Sequence, residues 1–398
     1  MRRRTFLTSL AVLSGAALLS PRWALGQSGP AQKTLIVLFL RGGNDGLNTL
    51  VPYAEPRYYQ LRPTLAIPPP GRPSGAIALD GRFGLHPALA PLKNLYDLGE
   101  VALFPAVHYP NGNLSHFESQ KFIESGDVVA RKQGWLNRYL SATASAAGNR
   151  PWRAVAVGAE LPFALQGQFP ASVIASGEGQ KFWGGWYYKV NPLPGWWREA
   201  YAGRTDPLGK RLAQAVGQGL DDVQRLESLP PTSGTYPDTN FGKSLKRLAQ
   251  LIRSDLRPEI IALDLGGFDT HARQAQTHAG VLSDLATGLA AFYTDLFDLR
   301  HSLLLLVMSE FGRTVRENGS AGTDHGMAGL WLALGGRVRG GIWGDWPGLA
   351  DNRLIAGNYL APTVDFRDLL SEALARYLGA DPSTVLPGYA SRLLGFLA

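Results

Sequence analysis

Short apolar runs recur along the chain, and each stops at a polar, glycine-rich turn. Residues 34–40, 101–104, 260–264, 303–308 and 329–334 show little polar alternation, the pattern of strands covered on both faces of a sheet. Residues 154–157 add a further run. Between them lie segments with helical spacing: 86–96, with Pro in its first turn, then 116–125, 134–143, 239–255 and 279–299. A last amphipathic helix spans 365–378, with Leu369, Leu370, Leu374 and Leu378 on one face. This alternation predicts an α/β fold, an α/β/α sandwich around a mostly parallel, doubly wound sheet. No internal repeat interrupts it.

The residues that follow these runs carry the chemistry. In an open α/β sheet, ligands bind beyond the carboxyl ends of the strands. Asp45 lies in the Gly-Gly-Asn-Asp-Gly turn after the first run. Ser115 and His116 follow the second, Asp269 and His271 the run at 260–264, and Glu310 and Arg313 the run at 303–308. Asp324 and His325 come just before 329–334. Carboxylates and neutral imidazoles suit Zn, Mn or Fe, and oxygen-rich sets suit Ca. In an extended loop Asp269 and His271, two apart, share a face and reach one ion. We therefore expect Asp45, Asp269, His271, Glu310, Asp324 and His325 to hold one or two divalent metal ions. Ser115, at a helix start, is the candidate nucleophile, with a water activated by the metal as the alternative. His116 is a candidate ligand or acid–base group. Arg313, or Arg41, is a candidate clamp for anionic oxygens. Each motif has a plainer reading: an Asn-Asp-Gly turn at Asp45, an N-cap at Ser115 or Asn113, a Glu–Arg ion pair at 310–313. Their joint occurrence outweighs this, because three of only seven histidines fall in these loops. His86, His278 and His301 read as ordinary; His108 lies close enough to the second loop to stay in consideration.

Together, 40–48, 113–116, 266–271, 309–314 and 323–326 resemble the exported bacterial family known as domain of unknown function 1501, over nearly the whole chain beyond its leader. That family is similar to the alkaline phosphatase and sulfatase superfamily. The resemblance implies an alkaline phosphatase-like sandwich, usually two metal ions, and a Ser or Thr nucleophile after the second strand. It makes Asp45 the first-strand ligand, Asp269 and His271 the middle pair, Glu310 the carboxylate after the late strand and His325 the final histidine. Glu310-Phe311 stands where the superfamily commonly has Asp-His.

Composition narrows the function. Cysteine is absent, which excludes disulfides, thiolate metal sites and a cysteine-derived formylglycine; no Ser-x-Pro-x-Arg offers the serine version. Residues 1–26 read as a twin-arginine signal peptide: Arg3-Arg4-Thr5-Phe6-Leu7, a short apolar stretch, then Ala24-Leu25-Gly26 before the cut. Its apolar part is short of the ~20 residues that span a bilayer. The expected product is periplasmic or extracytoplasmic, exported folded by the twin-arginine machinery, with no stable membrane span. The net charge of +7 owes four units to Arg2, Arg3, Arg4 and Arg22, leaving 35 basic against 32 acidic residues, too little to argue for nucleic acid. At 398 residues, positions 27–398 are expected to form one α/β domain, with the Trp/Gly/Pro-rich stretch 170–240 an insert or lid. The functional expectation is a metal-dependent hydrolase of a small phosphate or sulfate ester. The alternative is a non-catalytic binding protein on the same fold, with Trp183, Trp186, Trp196 and Trp197 as ligand faces.

Overall fold

Strand β1 (Thr34–Leu40) shows how the sheet is buried. Ile36, Leu38 and Leu40 face one apolar cluster, and Leu35, Val37 and Phe39 face another on the opposite side. The period-2 alternation of a strand thus feeds two cores, which is why the run has no polar face. The computed structural model describes residues 32–129, 131–147, 152–175, 199–200 and 203–398. The leader read over 1–26 and the four tryptophans at 183–197 lie outside the described residues.

Among the described residues the main sheet has nine strands. They are β1, β5 (Val101–His108), β6 (Ala154–Val157), β7 (Ser172–Ile174), β8 (Ile260–Leu265), β9 (Leu303–Ser309), β10 (Gly329–Leu334), β11 (Gly341–Ile342) and β12 (Val364–Asp365). The order is β11-β5-β10-β9-β1-β8-β6-β7, with β12 also on β5. All pairings are parallel except those of β10, which is antiparallel to both β5 and β9. Three two-residue strands, β2 (Leu50–Val51), β3 (Ile77–Ala78) and β4 (Gly84–Leu85), form a small separate sheet.

Helices cover both faces. On one, α1 (Ala90–Asp97), α5 (Asn240–Arg253) and α6 (Gln274–Asp295) bury Leu92, Leu95, Leu245, Leu248, Leu282 and Leu285 against β1, β8 and β9. On the other, α3 (Trp135–Ala142) and α7 (Phe366–Glu372) bury Trp135, Leu136, Leu369 and Leu370. Each such side chain contributes about 1.5–3 kcal/mol. The expected three-layer α/β sandwich is thus the observed architecture. No helix among the described residues is long and apolar enough to cross a membrane.

Several elements differ from expectation. The strand read as 101–104 continues to His108 through Pro105, whose missing N–H is accommodated where the pairing with β10 slips, between Trp331↔Phe104 and Gly329↔Val107. The helix read as 279–299 starts at Gln274 and ends at Asp295. Within the stretch 170–240, read as an insert or lid, β7 adds an edge strand to the main sheet. Helix α4 (Pro207–Glu227) begins at Asp206, whose side chain accepts from Gly209 N–H at 2.7 Å.

The reversal of β10 positions the site. A parallel strand brings its last residues to the carboxyl edge, whereas an antiparallel one brings its first. Asp324 and His325, which precede β10, therefore reach the edge where β1, β5, β8 and β9 end. An antiparallel bridge between Arg313 and His325 fixes the approach.

Candidate metal centre

At that edge the Asp269 carboxylate is the focal point. Its Oδ1 lies 3.0 Å from His271 Nε2, 3.3 Å from His325 Nε2 and 3.5 Å from His116 Nε2. His271 and His325 bring their Nε2 atoms within 3.0 Å of each other. The ligand atoms of His116, Asp269 and His325 all fall within 4.8 Å of one another. Asp269 and His271, two apart in the loop after β8, do share one face.

The opposite ring nitrogens are all held. His116 Nδ1 is 2.7 Å from Glu310 Oε1, His271 Nδ1 is 2.9 Å from Asp324 Oδ1, and His325 Nδ1 is 2.8 Å from the Leu114 carbonyl. Carboxylates and carbonyls only accept, so each Nδ1 carries the proton, and in the neutral imidazole each Nε2 then presents a lone pair. Three lone pairs thus converge on a carboxylate oxygen. His116 Nε2 is buried without a hydrogen-bond partner. Arg313 donates to the same oxygen at 2.6 Å, but no proton lies between the nitrogens, and an ion among them would relieve the repulsion of their lone pairs. Ligands held tetrahedrally by bonds of ~2.0–2.1 Å stand roughly 3.3 Å apart; the distances from Asp269 Oδ1 are 3.0–3.5 Å, and the group compact enough to share an ion is His116, Asp269 and His325. The donor set fits a zinc-like ion, and the Nδ1 partners are the kind that orient ligating imidazoles.

Electrostatics agree. Asp269 is held below the usual carboxylate range: burial pushes it up, but the hydrogen bond and charge of Arg313, with the nearby histidines, outweigh that. The hydrogen bond to Glu310 raises the pKa of His116, whereas burial lowers that of His325. Asp324 is lowered by hydrogen bonds from His271 and Asn318.

The other expected ligands stand elsewhere. Asp45 is fully buried, and Arg62 grips both of its oxygens, at 2.6 and 3.0 Å, while Gln274 donates to it as well. Its carboxylate faces the protein interior and is satisfied there. Glu310, also fully buried, accepts from His116, from Gly42 N–H at 2.9 Å, from Gln120 at 2.8 Å and from Ser309 at 3.0 Å. Asp324 touches the centre only through His271. These three carboxylates therefore surround the donors and do not point among them.

Arg313 is not placed as an anion clamp. Its guanidinium is buried and donates to the carbonyls of Gly42, Gly43, Phe268 and Thr323 and to Asp269 Oδ1. It ties three loops together. Arg41 is engaged with Glu124 and Asp264. Ser115 holds the N-cap position of α2 (His116–Ser125), yet its hydroxyl makes no cap bond. It sits between Leu114, whose carbonyl holds His325, and His116. His108 is buried with neither ring nitrogen partnered, packed against Tyr109.

Sequence reasoning missed Arg62, which lies outside every predicted strand and helix, and Gln274, which precedes the helix predicted over 279–299. Gln120 was findable, since it lies one helical turn beyond His116.

The second half of the chain carries a recognisable family signature. Residues 209–394 match the family described as Protein of unknown function (DUF1501). The DUF1501 match includes Asp269, His271, Glu310, Arg313, Asp324 and His325, while Asp45 and the 113–116 segment precede it. No curated protein matches the chain. Among solved structures, the chain is similar to a protein in the alkaline phosphatase superfamily from Vibrio parahaemolyticus, at 10% identity and TM-score 0.40, over 96% of this chain and 78% of that one. It is also similar to the C-terminal periplasmic domain of EcEptC from Escherichia coli, solved in complex with Zn, at 11% identity and TM-score 0.39, over 92% and 90%. A third is the phosphonate monoester hydrolase of Agrobacterium radiobacter, at 9% identity and TM-score 0.36, over 90% and 79%.

Proposed function

We propose that the protein is an extracytoplasmic, metal-dependent hydrolase of small phosphate or sulfate esters. The observation that carries this reading is the convergence of the His116, His271 and His325 lone pairs on Asp269 Oδ1. A divalent ion bound there would supply Lewis acidity to an ester oxygen and lower the pKa of an attacking hydroxyl. The chain's own residues do the rest. Glu310, Asp324 and the Leu114 carbonyl keep the imidazoles turned inward. Arg313 fixes Asp269 against the Gly42–Gly43 turn. Ser115, with its hydroxyl not spent on a helix cap, lies beside His116 as the candidate nucleophile. The leader at 1–26 supports export in the folded state, by way of the twin-arginine machinery.

The test is hydrolysis of p-nitrophenyl phosphate and p-nitrophenyl sulfate by the folded protein, with and without chelator, beside the Asp269→Ala/His271→Ala variant. The expected result is metal-dependent hydrolysis that the double variant loses along with its metal. Hydrolysis indifferent to chelation, or a double variant with full metal occupancy, sinks the reading.

A further inference from the structure

We propose that this centre takes a single ion, that His116 is one of its three ligands with Asp269 and His325, that the fourth position stays open beside His271, and that Glu310 is a positioning residue for His116. The inference rests on the metal-dependent reading above.

Three observations carry it. First, His116 Nε2 is a buried ring nitrogen without a hydrogen-bond partner, and, unlike those of His108, it faces the Asp269 oxygen approached by the other two imidazoles. Second, His116 is held by its surroundings. Its Nδ1 is fixed by Glu310, and its ring lies against Phe311, with centroids 4.7 Å apart, and against His325 at 4.3 Å. Glu310 is in turn fixed by Gly42, Gln120 and Ser309. A ring braced in this way serves as a fixed donor and is poorly suited to shuttle protons by turning. Third, the carboxylates that a second ion would need are already neutralised. Arg62, itself fully buried, sets a permanent positive charge against both oxygens of Asp45, and Glu310 has four donors. Another cation beside Asp45 would meet a guanidinium spanning both oxygens, whereas Arg313 engages Asp269 through Oδ1 alone. Two neutral imidazoles and one carboxylate with a fourth position open are a catalytic zinc-type donor set, and a carboxylate behind a ligating imidazole typically contributes 10–100-fold in affinity.

The experiment is titration of the chelator-stripped, folded protein with Zn(II), with the ion counted by native mass spectrometry and affinity measured by competition with a chromogenic chelator. Co(II) absorption spectra and far-UV circular dichroism accompany it. Wild type is expected to bind one equivalent. His116→Gln is expected to keep its fold, lose at least 100-fold in Zn(II) affinity and change the Co(II) spectrum. Glu310→Gln should lose about 10–100-fold and shift the spectrum less. Two equivalents in wild type overturn the proposal, as does a His116→Gln protein with wild-type affinity and an unchanged Co(II) spectrum. One equivalent without ester hydrolysis would sink the hydrolase reading and leave this assignment standing. Two-ion, metal-dependent hydrolysis would do the reverse.

Discussion

A carboxylate's role here is decided by what stands behind it. Asp45, Asp269, Glu310 and Asp324 all follow or flank apolar runs, and sequence places them alike. In the fold only Asp269 turns an oxygen toward three imidazoles. Asp45 is claimed by Arg62, 17 residues away in a segment with no readable periodicity, and Glu310 is satisfied by donors from β1's turn, α2 and its own strand end. Strand-end position was therefore legible, and orientation was not, because orientation depends on partners that share no pattern with the site. The Asp45–Arg62 pair gives a sharp prediction. Removing the cation leaves a buried, uncompensated carboxylate, so Arg62→Met should cost about 3–5 kcal/mol, read by urea unfolding. An Arg62→Met protein as stable as wild type would show that Asp45 is neutral or solvated in the fold.

At the scale of elements, the site is a crossing of loops, and glycine permits the crossing. Gly42, just after β1, has φ +116°, and a Cβ there would lie 2.4 Å from the Asp269 backbone nitrogen. Both the conformation and the space require glycine. Gly42→Ala should push the β1 turn away from the Asp269 loop and disturb the Arg313 bonds that join them. The expected outcome is a protein that still folds, with a lowered melting temperature and at least 10-fold weaker Zn(II) binding; unchanged affinity would mean that the turn does not position Asp269. Strand and helix identities were largely readable from periodicity, because burial on both faces leaves apolar runs that no other element explains. Strand direction was not. The run at 329–334 looks the same read either way, so the reversal of β10 could not be foreseen, nor could the passage of β5 through Pro105, which depends on a slip in its partner.

Across the whole molecule, buried histidines tie stability to pH. His278 lies on α6 beneath the site, against Asn44 and Thr49, with Asp45, His86, Arg62 and Arg313 nearby. Burial holds its pKa down to about 4, and does the same for His86 and His108. Their folded-state pKa values lie below the unfolded value of ~6.5, so the unfolded chain binds more protons in between. Stability should therefore be full above about pH 6.5 and be lost as pH falls toward 4, at up to about 1.4 kcal/mol per pH unit for each such histidine. Urea unfolding of wild type and His278→Gln across pH 4–7 checks this. The variant should give the shallower curve, and parallel curves would refute the assignment.

The proposed donors at 116, 269 and 325 come from segments scattered over most of the polypeptide, and the last precedes β10, which must slot between β5 and β9. No early portion of the chain can hold the ion. On the proposed reading, metallation would therefore be a late event, after synthesis has passed position 325 and the sheet has closed around its reversed strand. The ion acquired would then be set by the compartment in which folding finishes, and a prematurely terminated chain would leave the ribosome with no centre to fill.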